Sequence, residues 1–153
     1  ARLPGRMEWF ELDAIRVLMD GAHVRGSLEM ALDEALSTVS GPLGAVVAVH
    51  GEKDLAELLS PFAGRNLARL FATTVPGSGV HHTAPAVAEA ASALGLGAEV
   101  HEAPEAALEA ALCWAGGPGA RGASGEPRGL MVTGSLYLVG ALRPRLAVPP
   151  RGS

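Results

Sequence analysis

An acidic residue and a histidine follow one apolar run of the sequence. The run Ile15–Met19 leads into Asp20, and two small residues separate Asp20 from His23. A carboxylate here can accept hydrogen bonds from ribose hydroxyls or hold a neighbouring side chain, and a histidine can donate to a phosphate oxygen. Gly21 leaves room for a ligand beside the backbone. Taken alone, however, the residues slightly favour a structural interpretation, in which Asp20 caps the following turn and His23 is a solvated loop residue.

Two further pairs have types that suit ligand binding. Gly134 and Ser135 follow a later apolar run, and a helix that begins there favours carboxylate or phosphate at its N-terminus. A plain helix cap is the simpler alternative. His81 and His82 have the types of a metal pair, but side chains of adjacent residues point apart, which favours a loop before a helix cap. No G-x-x-x-x-G-K-[ST] motif occurs, so the sequence has no nucleotide P-loop of its own.

Composition narrows the class of protein. The sequence has 153 residues, of which 48% are apolar and 18% charged, which predicts one folded domain. The net charge of -4 argues against nucleic-acid binding, and no apolar run approaches the roughly 20 residues that span a bilayer. One cysteine and five scattered histidines argue against a Cys/His metal site. That cysteine, Cys113, is expected to be buried, and its solitary occurrence is compatible with a reducing cytoplasm.

The elements that hold these residues alternate along the chain. Apolar and β-branched runs predict strands over 7–12, 15–19, 45–49, 67–75, 98–100 and 130–133. Helical spacing predicts helices over 28–39, 55–62, 84–94, 105–114 and 136–142, whereas 116–129 and the tail from Pro144 are expected to be loose. This alternation predicts a Rossmann-like α/β fold, with a mostly parallel sheet and helices on both faces, over residues 1–153.

The predicted sheet indicates where a site should lie. In open α/β sheets, ligands bind outside the carboxyl ends of the strands. Four stretches are expected at that edge, namely residues 20–23, 50–54, 73–82 and 133–135. This expectation follows from topology and not from any motif.

Four stretches together resemble one family. They are residues 4–9 (PGRMEW), 18–23 (LMDGAH), 51–59 (GEKDLAELL) and 130–140 (LMVTGSLYLVG). In this order and spacing they resemble the carboxyl-terminal domain of folylpolyglutamate synthase, which is often bifunctional with dihydrofolate synthase and belongs to the Mur ligase superfamily. The resemblance covers almost the whole chain. Its last stretch is the most specific, because peptidoglycan ligases usually end differently.

The resemblance implies an ATP-dependent ligase. In that family, ATP phosphorylates a folate or pteroate carboxylate, and the amine of L-glutamate attacks the acyl phosphate. The ATP loop, the Mg²⁺ ligands and the folate pocket lie mainly in a larger amino-terminal domain. The resemblance therefore implies ATP and Mg²⁺ as cofactors, that domain of the same protein as partner, a cytoplasmic location, and no complete catalytic or metal site in this chain alone. A sequence that begins with Ala is then expected to be a fragment or a processed product.

The family's residues carry over to several positions. By resemblance, Arg6 reaches the nucleotide phosphates, Asp20 lies near the ribose, and His23 lies near the terminal phosphate. The pair Lys53 and Asp54 begins a helix at the domain interface, close to the nucleotide.

The resemblance implies the glutamate-binding residues less directly. The sequence also differs from the family's pattern at two places, one on the glutamate side and one beside His23. Ser135 and His82 are the residues expected on the glutamate side, but His81-His82 stands where the family commonly has an arginine. Val24-Arg25 stands where the family has Asn-Pro after the histidine. This second departure leaves open a non-catalytic binding or regulatory module, and a peptidoglycan ligase domain is a further alternative.

Overall fold

A single six-stranded sheet organises the chain. The computed structural model describes residues 6–77, 80–117 and 126–147. The strands are β1 (Glu8–Leu12), β2 (Ile15–Met19), β3 (Leu43–Val47), β4 (Leu67–Ala72), β5 (Ala98–Val100) and β6 (Gly129–Thr133). Their order across the sheet is β1-β2-β6-β3-β4-β5. β1 pairs antiparallel with β2, and every other pair is parallel.

Helices cover both faces of this sheet. They are α1 (Arg25–Thr38), α2 (Leu55–Leu59), which a 3-10 turn extends through Ser60–Phe62, α3 (Ala84–Ala93), α4 (Pro104–Gly116) and α5 (Leu136–Leu146). Helices α1, α2 and α3 pack on one face, and α4 and α5 pack on the other. The Rossmann-like α/β fold with a mostly parallel sheet is therefore confirmed. None of the helices in the described ranges is both long and apolar enough to cross a membrane.

The central strands explain why the sheet is parallel. Every residue of β3 and of β6 is buried. Side chains alternate between the two helical layers, so that Leu18 and Met131 face the first core and Met19 and Val132 face the second. Strands that are apolar on both faces are typical of parallel sheets covered by helices.

Two expectations about local structure were wrong. Cys113 is exposed, because α4 buries a different stripe, formed by Ala107, Leu108, Ala111 and Ala115. α5 continues through Pro144 to Leu146, because Leu142 and Leu146 are buried and hold the last turn against the core. The rest of the predicted loose tail, and most of the 116–129 loop, lie outside the described residues.

Helix α1 begins without a side-chain cap. Its N-cap residue is Val24, which is extended (φ -131°, ψ 156°), 47% exposed, and makes no side-chain hydrogen bond to the helix. The free N–H groups at the start of a helix are usually met by a serine, threonine, aspartate or asparagine oxygen at this position. Ser27 donates its hydroxyl proton to the Val24 carbonyl oxygen at 3.0 Å, which leaves the N–H groups of the first turn unserved by that contact.

Replacing Val24 with asparagine should therefore stabilise the chain. Asparagine supplies the missing acceptor at the N-cap, and we expect the free energy of unfolding to rise by about 1 kcal/mol. Urea unfolding followed by circular dichroism measures this change. Val24→Ala, which removes the same exposed side chain but adds no acceptor, is the matched control. Equal stability of the two variants would contradict the assignment of Val24 as an uncapped N-cap.

Candidate functional site

The carboxyl edge of the sheet brings four turns together. Residues 49–51 and 80–82 pair in a short antiparallel bridge between His50 and His81. The rings of these histidines meet edge to face, with centroids 5.5 Å apart. His81 Nε2 lies 3.0 Å from Ser135 Oγ, in the turn after β6. His23, in the turn after β2, lines the same hollow as Ser135. One member of each of the four predicted stretches is therefore at this edge.

A cleft opens between these turns. It has a volume of about 260 Å³ and is lined by His23, His50, Glu52, Lys53, Gly134, Ser135, Leu136 and Tyr137. A second hollow of about 300 Å³ lies beside it, lined by His23, Val24, Arg25, Glu52, Lys53, Asp54, Glu57 and Leu58. His23, Glu52 and Lys53 belong to both linings, so they stand between two adjoining spaces.

Asp20 is a buried carboxylate at the end of β2. Asp20 is 4% exposed. Its backbone N–H donates to Val132 O at 3.0 Å, which continues the pairing of β2 with β6 by one residue. Arg6 Nε lies 3.8 Å from Asp20 Oδ1, and that oxygen has no hydrogen-bond partner among the described residues. Burial raises the pKa of Asp20, although Arg6, the Ala22 N–H and His23 each act in the opposite direction.

Ser135 begins helix α5 in the way that the sequence predicts. Its Oγ accepts hydrogen bonds from Tyr137 N–H at 3.1 Å and Leu138 N–H at 3.3 Å. The residue is 3% exposed, yet it lines the cleft. An anion in the cleft would therefore meet the positive end of the α5 dipole as well as a hydroxyl.

Two glycines allow the turns to approach this closely. Gly134 has a φ of +102°, and a Cβ built on it would lie 2.2 Å from the Ala48 carbonyl oxygen. A Cβ on Gly21 would lie 2.2 Å from Leu136 Cδ2. The turn after β6 is thus in backbone contact with the end of β3 and in side-chain contact with the turn after β2. Glycine is required at Gly134 both by space and by conformation.

The structure distinguishes the positions of Lys53, Asp54 and His82, which lie near the start of α2. Asp54 caps α2 by accepting the Glu57 N–H at 2.9 Å, and it lines the second hollow together with Lys53. His82 Nε2 lies 2.7 Å from the Lys53 carbonyl oxygen, so its ring contacts the loop before α2. Among the described residues, His82 is not part of the cleft lining. The strand-like pairing of 80–82 turns His81, and not His82, toward Ser135.

The sequence therefore missed His81 as a site residue. Side chains alternate along an extended segment, so two adjacent histidines point to opposite sides. Sequence alone gave no sign of the extended pairing between His50 and His81, because a single bridge leaves no hydrophobic alternation to detect. The position of His81 and His82 just before the Thr83 helix cap predicted a loop, but it did not indicate which of the two rings faces Ser135.

Comparison with known proteins agrees with this architecture. A family model described as Mur ligase, glutamate ligase domain matches residues 5–122. The chain belongs to this family. No curated protein sequence matches the chain at a significant level.

Solved structures of folylpolyglutamate synthases share the fold. The Mycobacterium tuberculosis enzyme complexed with ADP and AMPPCP superposes with a TM-score of 0.80 at 25% identity, covering 98% of this chain and 34% of that one. The Thermotoga maritima enzyme gives a TM-score of 0.73 at 27% identity, covering 97% and 31%. A bifunctional folylpolyglutamate synthase/dihydrofolate synthase with Mn, AMPPNP and L-glutamate bound gives 0.74 at 19% identity, covering 97% and 32%. The resemblance inferred from the sequence is confirmed, and the chain spans about a third of the length of these enzymes.

Gly134 is the position where a small change should be most costly. Gly134→Ala forces a Cβ against the Ala48 carbonyl oxygen at a φ that alanine rarely adopts, so we expect a loss of at least about 2 kcal/mol in the free energy of unfolding. Gly140→Ala is the control, because Gly140 is exposed within α5 and has open space around it. That variant should gain up to about 1 kcal/mol from helix propensity. Chemical denaturation of both variants measures the difference, and equal stabilities would contradict the close approach.

Asp20→Asn tests the cost of the buried carboxylate. A raised pKa means that the folded chain holds the Asp20 proton more tightly than the unfolded chain, so stability is lost as pH rises through the folded-state value. Asparagine keeps an acceptor for the Ala22 N–H and has no charge. We expect Asp20→Asn to be more stable than the parent at pH 7.5, with the advantage shrinking as pH falls toward 3.8, the ordinary value for aspartate.

Urea titrations across this pH range supply the measurement. Glu109→Gln makes the same change of charge at an exposed position on α4 and should show no comparable trend. A lower stability of Asp20→Asn at pH 7.5 would mean that the attraction of Arg6 outweighs burial.

Proposed function

We propose that this chain is the glutamate-adding domain of an ATP-dependent folylpolyglutamate synthase, bifunctional or not with dihydrofolate synthase. In the proposed reaction, a folate or pteroate carboxylate is phosphorylated by ATP, and the amine of L-glutamate displaces phosphate from the acyl phosphate. The supporting similarity is to folylpolyglutamate synthases at 25% and 27% identity, within a family described as glutamate ligase domains.

The observation that carries the proposal is the α5 N-terminus with Ser135 and the Lys53 side chain at one edge of an acidic chain, although the Glu52 carboxylate also lines both hollows. The net charge is -4, yet His23 and Lys53 stand between two adjoining hollows, and the α5 N-terminus with Ser135 closes one of them. Such an edge suits two anionic ligands side by side. We assign the phosphate groups of the nucleotide to the side of Arg6 and His23, and the carboxylates of L-glutamate to the side of Ser135.

The nucleotide fits the residues around Asp20. Asp20 Oδ1 is buried and has no hydrogen-bond partner among the described residues, so a ribose hydroxyl would supply the missing donor. Arg6 lies beside it with a side chain that is 58% exposed, and its planar fork is free to contact phosphate oxygens. When bound, ATP supplies the activating phosphoryl group. This chain's own residues hold the ribose and screen the charge of the phosphates.

Other parts of the reaction are assigned to an amino-terminal ATPase domain of the same protein. The sequence has no P-loop, and within the described ranges no three His, Cys, Asp or Glu side chains form a candidate metal site. We therefore propose that Mg²⁺ and most of the phosphate contacts belong to that domain, and that Lys53 and Asp54 lie where the two domains meet. No residue of this chain alone is proposed to perform the chemical step.

One observation favours a second candidate function. Val24 leaves the N-terminus of α1 uncapped beside His23, so the turn that carries His23 lacks a side-chain hydrogen bond that asparagine would make. A chain that kept the fold but lost catalysis would be a binding or regulatory module. A peptidoglycan ligase domain is the other alternative within the family.

A ligation assay on the protein that carries the amino-terminal domain separates these functions. Formation of a glutamate amide from a folate or pteroate, with release of ADP, supports the proposal. Reaction with a peptidoglycan precursor in place of folate would assign the chain to the other branch of the family. A protein that binds folate or ATP but forms no amide with any of these acceptors would be the non-catalytic module.

Arg6→Ala tests the nucleotide side of the site. Because the exposed guanidinium is proposed to stabilise phosphate charge, we expect kcat/KM for ATP to fall about tenfold to a hundredfold with little change in unfolding free energy. Arg145→Ala is the matched control, since Arg145 is an exposed arginine in the last turn of α5. Steady-state kinetics and denaturation of both variants are the measurements. A normal kcat/KM in Arg6→Ala would remove this residue from the site.

A further inference from the structure

His81 stands behind the wall of the cleft, in contact with Ser135. Its Nε2 lies 3.0 Å from Ser135 Oγ. Its ring packs edge to face against His50 and Tyr137, with centroid distances of 5.5 Å and 5.8 Å. Of the residues described, the cleft lining includes Ser135, His50 and Tyr137 but not His81. His81 can therefore act on a ligand in the cleft through its hydrogen bond to Ser135, through the rings of His50 and Tyr137, or through its own charge.

The hydrogen bonds of Ser135 determine which partner supplies the proton to this contact. A serine hydroxyl has two lone pairs and one proton. Both lone pairs of Oγ are engaged by the helix, through Tyr137 N–H and Leu138 N–H. The contact with His81 must therefore be made by the serine proton, with Nε2 as the acceptor. A neutral His81 then carries its own proton on Nδ1.

We propose that His81 is a positioning residue for Ser135. Neutral His81 holds the serine proton away from the cleft. Protonated His81 cannot accept it, so the serine proton turns toward the cleft, where a carboxylate can accept it. The His81 Nε2–H then competes for Oγ with the longer of the two helix contacts, that of Leu138 N–H at 3.3 Å. Protonation also adds a positive charge close to that carboxylate. The inference rests on the proposed function in taking the carboxylates of L-glutamate as the ligand, and it predicts tighter binding at lower pH.

Several titratable groups surround this pair. His50 and Tyr137 pack on the ring of His81, and His23, Lys53 and Glu52 line the cleft that Ser135 borders. The Lys53 ammonium opposes a further positive charge, and the Glu52 carboxylate favours it. His23 and His50 also line the cleft and can bind carboxylates on their own account. The contribution of His81 must therefore be measured as a difference between variants.

The first test reads the proton position directly and needs no ligand. In the 153-residue chain with ¹⁵N-labelled histidine, long-range nitrogen–proton spectra identify the tautomer of each imidazole. At pH 8 we expect His81 to be protonated on Nδ1 and unprotonated on Nε2. Protonation on Nε2 at that pH would overturn the proposal. Wild-type protein is sufficient, so the result does not depend on a variant that folds.

The second test measures binding in the protein that carries the ATPase domain. The dissociation constant of L-glutamate is determined at pH 8, 7 and 6 with a non-hydrolysable ATP analogue, for wild type and His81→Gln. The glutamine amide oxygen can accept the serine proton at every pH and does not titrate. We expect the affinity of wild type relative to His81→Gln to rise about threefold to tenfold per pH unit through the titration of His81, tenfold being the limit for one linked proton.

The controls separate the alternatives. His101→Gln removes a histidine that pairs with Glu99 at 3.2 Å and should follow wild type at every pH. A wild-type to His81→Gln ratio that stays constant from pH 8 to pH 6 would overturn the positioning role. If no L-glutamate binds at any pH, the proposed function fails, and the tautomer measurement alone decides the assignment of His81.

Discussion

Strand β6 is the element on which the rest of the structure depends. It is the last strand among the described residues, yet it lies between β2 and β3 with parallel pairing on both sides. All five of its residues are buried, so its insertion pairs backbone groups along both edges and buries apolar side chains on both faces. The turn after β6 consequently emerges between the turns after β2 and β3. This pairing is what places Ser135 beside His23 and Lys53.

The buried carboxylate at the end of β2 shows how the site departs from what folding alone would select. Burial raises the pKa of Asp20, and the nearest guanidinium, that of Arg6, is 3.8 Å away with a largely exposed side chain. A pair of this kind recovers little of the desolvation cost. An uncharged residue would satisfy the strand equally well. Packing therefore gives no reason for a charge here, whereas the proposed contact with a ribose hydroxyl would give one.

The sequence predicted the helices and strands better than it predicted which way individual side chains face. Within the described residues, apolar periodicity identified every α-helix and strand, and β2 and β5 have the predicted bounds, whereas β4 ends at Ala72 and not at residue 75. Topology then placed the four turns at one edge. Periodicity does not predict an isolated bridge such as that between His50 and His81. It also does not predict which face of the alanine-rich helix α4 is buried. His81, Cys113 and the continuation of α5 through Pro144 all depend on such tertiary contacts.

Ser135 shows why a structural and a functional interpretation of one residue need not compete. From sequence, a helix cap and an anion site are alternatives. In the fold, the two lone pairs of Oγ serve the helix while the remaining proton is available to a third partner, so capping uses the acceptors and leaves the donor. The cap fixes the oxygen in place, and a fixed oxygen is what a ligand donor requires. The hydrogen bonds that stabilise α5 therefore leave only the direction of the Ser135 hydroxyl proton undetermined. His81, which contacts Oγ, is placed to control that direction.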